Sequence, residues 1–154
     1  MTMANRTNLA AYDTHAPVEG IGSAINANKN LLKCVYDFDV LGGAVGTVHL
    51  KDDQGNEALL PDGAVVTRAF IASVTDPTSG GLATVALKML SAGDILAALA
   101  FDSITGFVEC IQDGTAAKMI GPCTADSGTP IQMSIAVAAL TAGKFDVFLE
   151  YVIV

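Results

Sequence analysis

The side chains able to do chemistry are few. His15 and His49 are the two histidines, and Cys34, Cys110 and Cys123 the three cysteines. A Ser or Cys nucleophile needs a base, usually His. His49 alone follows the first thirty residues, and no Gly-x-Ser-x-Gly elbow accompanies it. Metal catalysis needs clustered His and carboxylates, and no His-x-His pair occurs. Asp52, Asp53, Asn56 and Glu57 gather oxygens around Gly55 as a Ca²⁺ loop would, but their spacing departs from an EF-hand and suits a solvated hairpin tip. Asp37 and Asp39 make a carboxylate pair about 7 Å apart on one strand face. A glycosidase would add an aromatic cleft; with no Trp and 6% aromatic residues, the pair reads as solvent-facing charge. Gly20-Ile21-Gly22 opens like a dinucleotide motif but lacks its third glycine and preceding strand. The expectation is a protein that is not an enzyme and carries no cofactor and no metal.

Cysteines odd in number, with no Cys-x-x-Cys spacing, suggest reduced thiols made in a cytosol. Cys34 and Cys110 sit in apolar segments as core fillers. The net charge is −8, and the eight basic residues are scattered singly, so no basic patch is written locally. Backbone binding to DNA or RNA needs several cations on one face, which excludes nucleic acid as a partner. The longest uncharged run of the C-terminal third, Ser127 to Gly143, has 17 residues rich in Ser, Thr, Gly and Ala. A spanning helix needs about 20 mainly apolar residues. Neither a membrane span nor, from Met-Thr-Met-Ala-Asn-Arg, a signal peptide is expected.

Charged residues make up 16% of the chain, against about 25% in an ordinary soluble domain. A surface so short of charge implies contact with neighbours. Assembly is therefore the first functional expectation.

The elements that would carry such contacts are strands. Residues 31–154 form the expected body and residues 1–30 an arm. Leu32, Cys34, Tyr36, Phe38 and Val40 alternate with Lys33, Asp37 and Asp39, predicting a half-buried strand to Val40. Val45 to Leu50 and Glu57 to Leu60 flank a polar turn, as in a hairpin. Ala64 to Thr75 is a long apolar run ended by Asp76-Pro77, and Ala83 to Met89 alternates again. Ser91 and Asp94 resemble a capping box, predicting one short helix over about Ala92 to Ala100. Weaker strands are expected at Phe107 to Gln112 and Ala117 to Ile120, with turns at Asp113-Gly114 and Gly121-Pro122. Ile131 to Ala139 and Phe145 to Ile153 alternate clearly, with Thr141-Ala142-Gly143 as the turn between them. The other face of the last strand turns apolar, so Phe148, Val152 and Val154 are the expected subunit contacts there. Together these elements predict an all-β, antiparallel β-sandwich of jelly-roll type, with one short helix and an extended N-terminal arm.

The arm holds five asparagines and no clear period. Its spaced side chains Asn8, Leu9, Tyr12, Val18, Ile21 and Ile25 are the expected contacts with a partner, the alternative being a floppy terminus.

Four segments in order carry a resemblance. They are Leu60 to Phe70, Thr78 to Leu87, Ser91-Ala92-Gly93-Asp94 and Leu140 to Val152. Across Leu31 to Val154 the chain resembles small tailed-bacteriophage head decoration (cement) proteins of jelly-roll type. The resemblance implies a virion protein on the capsid surface, made in the host bacterial cytoplasm. It also implies a homodimer or homotrimer that binds the major capsid protein and bridges coat subunits. A phage head or tail fibre module binding host-surface carbohydrate is the alternative.

Overall fold

Alternation of apolar and charged residues draws the chain into strands from Asn30 onward, and the computed structural model describes residues 30–112, 123 and 128–154. The arm contacts Asn8, Leu9, Tyr12, Val18, Ile21 and Ile25, the strand Ala117 to Ile120 and its flanking turns lie outside the described residues.

Strand β1 (Asn30–Asp37) turns Cys34 and Tyr36 into the core and Lys33, Val35 and Asp37 outward. It stops at Asp37, earlier than its alternation predicts. The Asp37 carboxylate accepts the Asp39 amide at 3.1 Å and caps a single helical turn, α1 (Phe38–Leu41). Gly42 closes that turn at φ 72, its amide donating to the Phe38 carbonyl at 2.8 Å. Val40 is consequently exposed rather than buried on the strand's apolar face. A short polar cap outweighs the alternation here because it satisfies the turn's free amides.

The hairpin around Lys51–Asn56 forms at its tip and then opens. Lys51 bridges Glu57, and the Ala58 amide donates to the Leu50 carbonyl at 2.9 Å. Beyond that the arms part: β2 (Gly46–His49) pairs with β9 (Gln132–Ala136), and β3 (Leu59–Leu60) with β8 (Thr129–Pro130).

Strand β4 (Ala64–Ser79) runs straight through the expected stop at Asp76-Pro77. Its partner β10 (Leu140–Ile153) begins before the expected turn at Thr141–Gly143 and absorbs that turn into the ladder. Both departures share one cause. Thr75 pairs with Lys144 and Thr78 with Ala142, so Asp76 and Pro77 together stand opposite Gly143 in a β-bulge. Proline lacks an amide to donate, and a bulge is where a ladder tolerates that. Gly143 has φ 137, and a Cβ there would lie 2.8 Å from Pro77 Cα, so only glycine fits.

The true turn falls at Val137, whose φ is 70, with the Ala138 amide donating to the Ala136 carbonyl at 2.9 Å. Positive φ is costly for a β-branched residue, which hid this turn from any composition rule. Ile131, Met133 and Ile135 are buried as predicted, whereas Val137 and Ala139 are exposed because β9 ends at Ala136.

In place of the predicted helix over Ala92–Ala100 come a turn and then a strand. β5 (Thr84–Lys88) and β6 (Leu96–Ala100) form an antiparallel hairpin. Asp94 does organise this turn, though not as a helix residue. Its carboxylate accepts the amides of Met89, Leu90 and Ser91, each at 2.8 Å. Leu96 to Ala100 has helical propensity, but pairing with β5 buries Leu96 and half-buries Leu99, overriding it. A short 3₁₀ turn, Phe101–Ser103, leads to β7 (Phe107–Glu109).

Among the described residues the strands build two four-stranded antiparallel sheets, ordered β1-β10-β4-β7 and β2-β9-β5-β6, beside the β3-β8 pair. The first strand thus lies beside the last, and the second beside the penultimate. The sheets face each other as a sandwich around one apolar core. At its centre Tyr36 and Phe145, both fully buried, place their rings 4.9 Å apart. Each such side chain contributes roughly 1.5–3 kcal/mol on burial.

Replacing Asp94 with Ala strands three amides at the β5–β6 turn. We expect Asp94→Ala to lower stability by about 2 kcal/mol, measured by urea unfolding. An unchanged midpoint would show that the turn does not depend on this carboxylate.

Candidate functional site

Among the described residues, the side chains singled out for chemistry do not gather into one site. His49 points outward from β2, its Nδ1 against Glu57 Oε1 and its Nε2 3.0 Å from Gln132 Nε2. That geometry suits a ring that donates from Nδ1 and accepts at Nε2. Asp37 and Asp39 do not share a strand face: Asp39 sits in α1, and Asp37 pairs with Lys144 at 2.8 Å. Asp52 uses one oxygen to accept the amides of Gln54 and Asn56, both at 2.8 Å, closing its own loop. Those bonds, the Asn56 amide first, hold its carboxyl below the ordinary range. Among the described residues no group of three His, Cys, Asp or Glu side chains is placed to hold a metal ion.

Cys34 is fully buried between the sheets, and Cys110 is half-buried beside β7. Desolvation pushes each thiol up to about 12, with a smaller push from Asp52 on Cys34 and from Glu109 on Cys110. Both are poor nucleophiles at neutral pH.

What the sandwich offers instead is a face. Pleating sends alternate residues of the β1-β10-β4-β7 sheet outward, and the outward set is aromatic at its middle. Phe148 stacks on Phe70 with centroids 5.1 Å apart, and Phe70 meets Phe107 at 4.7 Å. Phe107 is 65% exposed. Arg68 lies over the Phe70 ring at 5.9 Å and binds Glu109 at 2.9 Å. Offset ring contacts of this kind give about 0.5–1.5 kcal/mol beyond burial, yet they leave the outer ring surfaces open to solvent.

Beside the rings lies a groove of about 380 Å³, bounded by β1, α1, β10 and the Lys51–Asn56 loop. Lys33 reaches Asp53 at 2.9 Å and Asp146 at 3.2 Å along its wall. These pairs raise the Lys33 pKa, Asp53 contributing most, and Lys144 in turn lowers that of Asp37. All of these charges are solvated, so they shape the groove more than they stabilise the fold.

The opposite outer face is different in kind. Across β2, β9 and β5 it presents Thr47, His49, Gln132, Ser134, Ala86 and Lys88, small or polar throughout. The two faces are thus a polar exterior and an aromatic one.

Of the expected contact residues on the last strand, Phe148 lies within the aromatic face. Val152 shares its side of β10 and is half-buried, while Val154 is an exposed end residue whose amide binds the Gly63 carbonyl at 2.9 Å. Phe70, Phe107 and Glu109 were not singled out from the sequence. The one available signal was parity, since Phe70 falls between Ala69 and Ile71, which both point inward.

No protein-family model matches the chain, and no curated protein does. Among solved structures it is similar to a chain of the cyanophage Pam1 capsid asymmetric unit, with a TM-score of 0.58 and 16% identity over 82% of this chain and 86% of that one. A chain in the capsid of Ralstonia phage GP4 gives 0.56 and 17%, covering 84% of this chain and 88% of that one. A chain in the acidic stable capsid structure of Helicobacter pylori bacteriophage KHP30 gives 0.50 and 16%, over 82% and 88%. At such identities the likeness shows a common fold.

The thiols carry a prediction about pH. A thiol held protonated on folding has no effect on stability below the ordinary value of 9.0, then costs stability as pH climbs from there towards about 12. Native protein at pH 8 should resist iodoacetamide at Cys34 and Cys110 and take label at both in urea, as read by mass spectrometry. Rapid native labelling at Cys34 would contradict the burial.

Proposed function

We propose that this chain is a structural protein of a bacteriophage virion, a decoration or cement protein that binds the outside of the head and bridges coat subunits. The observation that carries the reading is the likeness in fold, over more than four-fifths of the chain, to chains from three phage capsid structures. The strand order adds support. First beside last and second beside penultimate, in two four-stranded sheets, is the winding of a jelly roll. The aromatic face and the low charge content supply surface for neighbours.

In this reading the chain is not an enzyme and needs no cofactor. It works at the capsid surface after synthesis in the bacterial cytoplasm, and its partners are the major capsid protein and further copies of itself. The sandwich starts one residue earlier than the expected 31–154 body, since Asn30 already pairs with Tyr151 in β1. Residues 1–29 are then the arm, which carries Asn8, Leu9, Tyr12, Val18, Ile21 and Ile25 across adjoining coat subunits.

One observation favours the alternative of a carbohydrate-binding module, namely the exposed ring of Phe107 beside the half-buried rings of Phe70 and Phe148. Micromolar binding on a glycan array, abolished by Phe107→Ala, would select that reading.

Deleting Met1 to Lys29 should leave the circular dichroism of the sandwich intact while reducing co-sedimentation with empty heads by tenfold or more, a loss of about 1.4 kcal/mol. Undiminished attachment would remove the arm from the proposal. Microscopy of virions lacking density for the chain on the shell would remove the proposal itself.

A further inference from the structure

The aromatic face has a charge pattern that fits a second copy of itself. Strand registers align Lys33 with Phe148, Phe148 with Phe70, and Phe70 with Glu109. One row therefore crosses all four strands as cation, ring, ring, anion. All four side chains share the outward side of the pleat.

Two such faces can meet about a two-fold axis parallel to the strands. That operation keeps each row at its own height and reverses the strand order, so β1 of one copy faces β7 of the other and β10 faces β4. Lys33 then stands over Glu109 of the second copy, and Phe148 over Phe70. In the next row, Glu150 pairs with Arg68 within the chain, so each comes to face its opposite charge in the second copy. On the other side, the row Val35, Asp146, Ala72, Phe107 sets the exposed Phe107 ring over Val35, at the wall of the groove.

The competing arrangement is a two-fold axis across the strands. It would stack Lys33 on Lys33 and Glu109 on Glu109, and like charges brought together oppose association. Either axis keeps the strands of the two sheets aligned, as face-to-face sheets prefer, so the charges decide between them. The intrachain partners of Lys33 (Asp53 and Asp146) and of Glu109 (Arg68) stay beside them, so the pairing extends networks already present.

We propose that the chain forms a homodimer through this face, with Lys33 of each copy opposite Glu109 of the other around a core of Phe148 and Phe70. The proposal needs only this chain, so it stands or falls apart from the assignment to a capsid. In the dimer the outer faces left to other partners are the polar ones.

The test is sedimentation of the full-length chain at about 50 μM, well above the Kd of an ordinary stable interface. The expected result is one species of twice the chain mass; a monomer or a trimer overturns the proposal. Lys33→Glu and Glu109→Lys each set like charges together twice in a homodimer, and each should weaken it at least tenfold. Mixing the two variants restores both pairings, so a one-to-one heterodimer should appear. Two variants that stay dimeric alone, or that fail to associate when mixed, overturn it. Phe148→Gln leaves the inward side of the sheet intact and should give a folded monomer that keeps its circular dichroism, with a melting temperature lowered by the lost stack on Phe70. A dimeric Phe148→Gln protein also counts against this face.

Discussion

The ladder between β4 and β10 is the constraint on which the rest depends. It joins Ala64–Ser79 to Leu140–Ile153 and brings together segments some seventy residues apart in the chain. Because side chains alternate across a strand, its register decides at once what is buried and what is shown. Ala69, Ile71, Val147 and Leu149 enter the core by the same choice that places Phe70 and Phe148 outside. A slip of one residue would exchange the two sets. The bulge at Pro77 and Gly143 pins the register near one end, since no other residue type would fit opposite the proline so closely.

From that ladder follows the asymmetry of the molecule. One sandwich face carries three phenylalanines with alternating charges, and the other carries small and polar residues. An isolated domain gains nothing from exposed aromatic rings, whereas an assembling one gains a contact. Among the described residues, several groups singled out for chemistry hold the architecture together. Asp94 and Asp52 tie down turns, Asp37 ends a strand, and Cys34 fills core space.

The strand content was legible in the residues because alternation is a local record of burial. Leu32, Cys34 and Tyr36 announce an inward face without help from any partner, and so do Val85 and Leu87. The failures were also local. Leu96 to Ala100 looked helical because alanine and leucine favour helices, and only the pairing with β5 made it a strand. Thr141-Ala142-Gly143 looked like a turn because glycine and threonine often make one. Its glycine instead serves a close approach to Pro77, while the real turn was placed on Val137, where no propensity would seek it.

By itself the sequence determined that the chain is an antiparallel β protein with little charge, since composition and period depend on nearest neighbours alone. It also flagged Phe148 as an apolar residue on the outward side of the last strand. It could not place Lys33, Phe70 and Glu109 beside that ring, because they come from three other strands whose only common record is the hydrogen-bond register. Register is a property of pairs of segments distant in the chain, so the aromatic row and its flanking charges came into being only with the tertiary structure.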